Sequence, residues 1–188
     1  MRRGFKAEAE RIAERTRAQM GLRSRDRLQV KALASHINVE VIPADRLVDR
    51  SQLQQLEDIQ PGAFSAATFH LPDGRTVAVF NPFSSPKRTN SDISHEVAHL
   101  LLGHDVREIQ RLAGHTFLTC NPEQEEEANW LAGCLLLPRQ LLLNEAMQGT
   151  SVEVIAERYQ VSCDMARFRL NTSGVLLQAQ RARKAANH

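Results

Sequence analysis

Two histidines four residues apart, with a glutamate after the first, give His95-Glu96-Val97-Ala98-His99, the pattern H-E-x-x-H. In a helix, residues four apart differ by about 40° around the axis and about 6 Å along it, so both imidazoles can reach one ion. Glu96 falls about 100° from His95, which suits contact with a water at the metal better than ligation, as a general base requires. Val97, Ala98 and Leu100 to Leu102 around it are apolar. Burying two imidazoles and a carboxylate there without a satisfying partner would be costly. The plainer alternative is a pair of hydrogen-bonded core histidines.

A catalytic zinc usually takes three protein ligands and keeps a fourth position for water. His104 does not complete the H-E-x-x-H-x-x-G-x-x-H pattern, because Gly103 and His104 fall four and five residues after His99 rather than three and six. Downstream stands an acidic run, Glu123, Glu125, Glu126 and Glu127. Glu125 and Asn129 are one helical turn apart, the arrangement in which a carboxylate binds the metal while a polar neighbour steadies it. Ala128 and Ala132 share the Glu125 face with Leu131, and their small size would let this helix approach the H-E-x-x-H helix closely. The alternative for these acids is a solvated start to a helix. Two histidines and a carboxylate suit zinc, and the same set with open positions can hold manganese or iron. His104, His115 and Tyr159 are candidates for stabilising an oxyanion.

These residues need elements to position them. Phe5, Ala9, Ile12, Ala13 and Met20 follow helical spacing up to Gly21, and a second short helix is expected over 27 to 36. Val39 to Ile42 reads as a strand ending at Pro43, and 47 to 56 as a helix. Ala63 to Leu71 and Arg75 to Phe80 flank Pro72-Asp73-Gly74, a hairpin signal, so a small antiparallel sheet is expected. Asn90 or Ser91 can cap the H-E-x-x-H helix, which Gly103 stops. His104 to Cys120 reads as a connection without clear structure. Asn121-Pro122-Glu123 looks like a cap, a first-turn proline and an acid at the dipole's positive end, opening a helix to Leu137. Pro138 restarts a helix to about Met147, and a final pair follows at about 152 to 159 and 163 to 171.

Composition narrows the class. The 188 residues are 42% hydrophobic and 24% charged with a formal charge of +2, the profile of an ordinary globular chain whose bulk charge names no partner. Ten Lys/Arg against four Asp/Glu in residues 1 to 31 leave room for nucleic acid, although a solvated amphipathic helix with Glu8, Glu10 and Glu14 paired to Arg11, Arg15 and Arg17 explains them better. Cys120, Cys134 and Cys163 form no C-x-x-C pair, and no stretch is apolar and long enough to span a membrane, so a cytoplasmic location is expected. Ile155 to Leu170, two short helices around Gln160-Val161-Ser162, look like a helix-turn-helix, with Arg167 and Arg169 available to DNA.

The blocks H-E-V-A-H-L-L-L and E-E-E-A-N-W-L-A-G-C-L-L-L-P, Glu125 to Pro138, resemble the ImmA/IrrE family of metallo-endopeptidases, and the similarity extends over about 37 to 171. Family members usually have Ala where Ser94 stands and often His where Gly103 stands. The resemblance implies an α+β fold: a minimal zincin-like core, mostly helical, with a small three-stranded antiparallel-type sheet and a C-terminal helix-turn-helix-like pair. It implies zinc held by His95, His99 and Glu125, with Glu127 the less favoured third ligand, and Glu96 as catalytic base. The substrate class it implies is a helix-turn-helix repressor, whose cleavage switches on stress-response or mobile-element genes. A single structural domain is expected, with N-terminal helices at 1–36 packed on a peptidase core at 37–148, followed by the helix pair and tail at 149–188. Direct DNA binding and a non-cleaving metal-dependent regulator remain the alternatives.

Overall fold

The computed structural model describes residues 1–104, 109–112, 115–118 and 121–186. It is an α+β fold, mostly helical, with a three-stranded sheet and a separate two-stranded one. Helix α1 (Phe5–Gln19) and α2 (Val30–His36) lead into strand β1 (Val39–Pro43). A 3-10 turn (Ala44–Arg46) and α3 (Arg50–Ile59) then connect to the hairpin β2 (Ala66–His70) and β3 (Thr76–Phe80).

The strand order is β1-β3-β2. β2 pairs antiparallel with β3, from Ala66 opposite Phe80 to His70 opposite Thr76, because the Pro72-Asp73-Gly74 turn is too short for any other return. β1 pairs parallel with β3, Val39 opposite Thr76 through Pro43 opposite Phe80. The sheet is therefore mixed and not antiparallel as expected: α3 and β2 carry the chain across and back before β3 begins, which is what parallel pairing needs. Val77 and Val79 are buried with Ile42 in a small cluster on one side of the sheet, while Ala78 joins the main core on the other.

Helix α4 (Pro86–Leu102) carries the H-E-x-x-H motif. It starts earlier than Asn90 or Ser91: the Ser85 hydroxyl accepts from the Arg88 amide at 3.3 Å and Pro86 fills the first turn. The cap-then-proline signal read at Asn121-Pro122 was equally present at Ser85-Pro86. Gly103, at φ 63°, closes the helix as expected. Strands β4 (Ile109–Leu112) and β5 (His115–Leu118) pair antiparallel in the connection whose structure the sequence left open.

Helix α5 (Pro122–Leu136) opens with the Asn121 side chain accepting from the Glu123 amide at 3.0 Å. α6 (Arg139–Gln148), α7 (Val152–Tyr159), α8 (Cys163–Thr172) and α9 (Val175–Ala186) complete the described chain, α9 lying in what was read as a tail. α5 is the axis of the molecule: α4 and α1 both lie against it, and a single hydrophobic cluster runs from Phe5 to Ala179. None of the described helices is long and apolar enough to cross a membrane.

The charged face of α1 departs from the solvated pairing expected of it. Arg17 is buried, donating to the carbonyl oxygens of Leu135 (2.8 Å), Arg23 (3.0 Å) and Asp26 (2.5 Å), and Glu10 accepts from Arg169 at 2.7 Å. These charges tie α1 to the core. Burying a guanidinium is tolerable only because carbonyl oxygens replace its water.

Candidate metal centre

α4 turns His95 and His99 to the same side, toward the first turn of α5. The two Nε2 atoms stand 3.0 Å apart. Glu125 Oε2 lies 3.1 Å from His95 Nε2, and Glu125 Oε1 lies 3.6 Å from His99 Nε2. One ligand atom from each of the three residues falls within 4.8 Å of the other two. Donors held at about 2.0–2.2 Å by a tetrahedral ion stand about 3.3 Å from one another, so the donor set and its spacing fit a zinc-sized cation.

The close approach of α4 and α5 comes from small residues, as the sequence suggested. Ala98, Ala128 and Ala132 are fully buried, and Ser94, where the resemblance leads one to expect alanine, uses its hydroxyl to donate to the Ala132 carbonyl at 3.4 Å. That contact gives the extra oxygen a partner at a position with no exposure to water. Of the acidic run, Glu123 and Glu126 are exposed, while Glu125 reaches the histidines. Glu127 is buried and turns elsewhere: its Oε1 accepts from the Arg2 backbone amide at 2.9 Å and from Arg2 Nε at 3.0 Å. Burial would raise the Glu127 carboxyl, but these donors and His104 hold it below the usual carboxylate range.

Glu96 is buried on α4 and accepts a hydrogen bond from the Thr68 hydroxyl of β2 at 2.9 Å, which ties the carboxylate to the sheet. Nothing in the motif announced Thr68, because its contact depends on how β2 crosses α4. His95 Nδ1 is buried without a hydrogen-bond partner among the described residues, whereas His99 Nδ1 lies 3.0 Å from His104 Nδ1. Burial pushes His104 below the ordinary imidazole value, against the pull of Glu127.

Of the oxyanion candidates, His104 therefore stands against His99. The Tyr159 hydroxyl is committed to Glu145 Oε1 at 2.7 Å, and burial together with that carboxylate pushes it up to about 12. The side chain of His115 lies outside the described residues. Asn129 is exposed on the rim of a cleft of roughly 550 Å³ beside His95, lined also by Arg88, Trp130, Met165 and Phe168.

The C-terminal pair is weaker as a DNA reader than its sequence suggested. Arg169 is fully buried, its guanidinium donating to the Leu137 carbonyl (Nε 3.2 Å, Nη2 3.1 Å) and to Glu10. It holds α8 to α5 and α1 and is not offered to a phosphate. Arg167 is exposed and pairs with Asp164 at 3.1 Å.

Comparison with known sequences agrees with this architecture. The profile of the peptidase M78 family, described as the IrrE N-terminal-like domain, matches residues 56–171, a span that includes β2, β3, α4, α5 and the three clustered donors. The chain belongs to that peptidase family. Among curated proteins, none matches it.

Proposed function

We propose that the protein is a metal-dependent endopeptidase in which His95, His99 and Glu125 hold a zinc ion and Glu96 is the general base. The observation that carries this reading is the convergence of three donor atoms, spaced as a tetrahedral ion requires, beside a buried carboxylate on the same helix. A bound zinc ion supplies Lewis acidity, polarising the scissile carbonyl and acidifying water at the site. Glu96 takes the proton of the attacking water and delivers it to the departing amine. Thr68 steadies Glu96 for both transfers. The cleft beside His95, with Trp130, Met165 and Phe168 in its wall, gives room for a substrate side chain. The same donor set can also hold manganese.

The family resemblance supports a protein substrate, and within that class a helix-turn-helix repressor whose loss releases stress-response or mobile-element genes. A cytoplasmic setting fits three cysteines without a C-x-x-C pair. Residues 1–36, 37–148 and 149–188 act together as one unit in this reading, supported by the shared core. Direct DNA recognition by α7 and α8 is the weaker alternative, since Arg169 is buried.

The test is to load the protein with zinc, mix it with helix-turn-helix repressors from the same genome, and identify fragments by mass spectrometry. Glu96→Gln should bind one zinc ion as the parent does and lose cleavage by about a hundredfold or more. Undiminished cleavage by Glu96→Gln, or cleavage surviving His95→Ala with no metal bound, overturns the reading.

A further inference from the structure

Ligand histidines in metal sites are commonly held by a partner on the ring nitrogen that does not face the metal. His95 and His99 differ here. Among the described residues His95 Nδ1 has no hydrogen-bond partner, while His99 Nδ1 meets His104 Nδ1 at 3.0 Å. The cause is local: Gly103 adopts φ 63°, a left-handed conformation that costs glycine little, and the chain turns so that the His104 amide donates to the His99 carbonyl at 3.0 Å. This folds the His104 ring back over His99, centroids 5.1 Å apart and planes at 68°.

Beyond His104 stands Glu127. His104 Nε2 lies 3.6 Å from Glu127 Oε2, an electrostatic contact longer than a hydrogen bond, with side-chain exposures of only 7% and 6%. The other Glu127 oxygen takes two hydrogen bonds from Arg2. The contacts thus run without a break from Arg2 through Glu127 and His104 to His99.

We propose that Glu127 and His104 are positioning residues for His99, and that the seating of Arg2 on Glu127 sets how firmly the metal is held. The proposal rests on the reading of His95, His99 and Glu125 as metal ligands. If His99 Nε2 faces the ion, its Nδ1 carries the proton and donates to His104 Nδ1. His104 must then carry its own proton on Nε2, directed at the Glu127 carboxylate. One tautomer of each ring satisfies the series, so the His99 ring is locked in the orientation that ligation needs. Glu127 thereby has a role distinct from that of Glu125 two residues before it. The Arg2 segment gains one as well: its backbone amide and Nε both donate to Glu127 Oε1 and fix the carboxylate with its other oxygen toward His104.

Zinc affinity, read by competition with a chromophoric chelator, and nitrogen-15 NMR of the zinc-loaded histidines test this together. The parent should bind one zinc ion, and His95→Ala should bind none at the same concentrations. Glu127→Gln and His104→Leu should each bind one ion 10- to 100-fold more weakly, and Arg2→Ala, at an exposed position, several-fold more weakly. In the parent a protected His99 Nδ1 proton is expected, and it should be lost in His104→Leu. If either buried variant fails to fold, Arg2→Ala and the proton signal of the parent decide the matter. Parent-like zinc affinity in Arg2→Ala and in whichever buried variants fold, or a zinc-loaded His99 with no proton on Nδ1, overturns the relay while leaving the metal site intact. A parent that binds no zinc overturns the ligand assignment itself.

Discussion

Gly133→Ala offers a test in which two effects have opposite signs. In the interior of a helix, alanine is favoured over glycine by about 1 kcal/mol. Gly133 lies within α5, at the start of its last turn, and is buried, so propensity alone makes the substitution stabilising. The tertiary structure reverses this. A Cβ at 133 would stand 2.4 Å from Arg169 Cδ, 3.0 Å from Arg169 Cγ and 3.3 Å from Met165 Sδ. Arg169 cannot simply swing aside, because it has no exposed surface and its guanidinium is fixed by Leu137 and Glu10.

Overpacking of this kind costs about 1–3 kcal/mol, and a strained or lost charged hydrogen bond adds about 1.5–3 kcal/mol. Against the gain of about 1 kcal/mol, the net expectation is a loss of about 1.5–5 kcal/mol. For a chain of this size, that lowers the melting temperature by roughly 3–20 °C. Thermal and urea unfolding of the parent, Gly133→Ala, Arg169→Ala, which removes both clashing carbons, and the double variant measure it. The cycle should show that alanine at 133 is tolerated once Arg169 is gone, with a coupling above about 1 kcal/mol. A Gly133→Ala protein as stable as its parent, or strictly additive effects, refutes the steric account.

On the proposed assignment, Thr68→Val should reduce kcat several-fold while leaving zinc affinity unchanged, since the Thr68 hydroxyl donates to the proposed base Glu96; weakened zinc binding instead would show that β2 shapes the proposed metal site itself. Glu145 is buried, which would raise its carboxyl, yet Tyr159, Thr150 and Arg158 hold it below the usual range. Its contribution is therefore present above the unfolded carboxylate value of about 4.3 and is lost as pH falls through the lower folded value. Glu145→Gln should cost about 1–2 kcal/mol at pH 7, a figure discounted because Arg158 is half exposed, and the difference from the parent should shrink in acid; a pH-independent difference contradicts the linkage. Burial pushes the Cys134 thiol up, whereas Cys163 is exposed. A variant retaining only Cys134 should resist iodoacetamide until it unfolds, and rapid native labelling contradicts its burial.

Much of this protein is written locally. The H-E-x-x-H spacing placed two imidazoles on one helical face, Gly103 marked where that helix ends, and Asn121-Pro122 marked where α5 begins. The Pro72-Asp73-Gly74 turn predicted the β2–β3 hairpin. These features depend on dihedral preferences and hydrogen bonds within a few residues, so composition and spacing suffice to read them.

What required the tertiary structure is everything set by the azimuth and distance of one element against another. The four glutamates within five residues of α5 divide among three directions, with Glu123 and Glu126 both toward the Met1 ammonium. The packing of α5 on α4 through Ala98, Ala128 and Ala132 brings Glu125 to the histidines and turns Glu127 to Arg2 and His104. The parallel pairing of β1, the contact of Thr68 with Glu96 and the burial of Arg17 and Arg169 belong to the same class. No local pattern encodes them, because each joins residues far apart in the chain, and an arginine with its charge on carbonyl oxygens reads in sequence like one facing water.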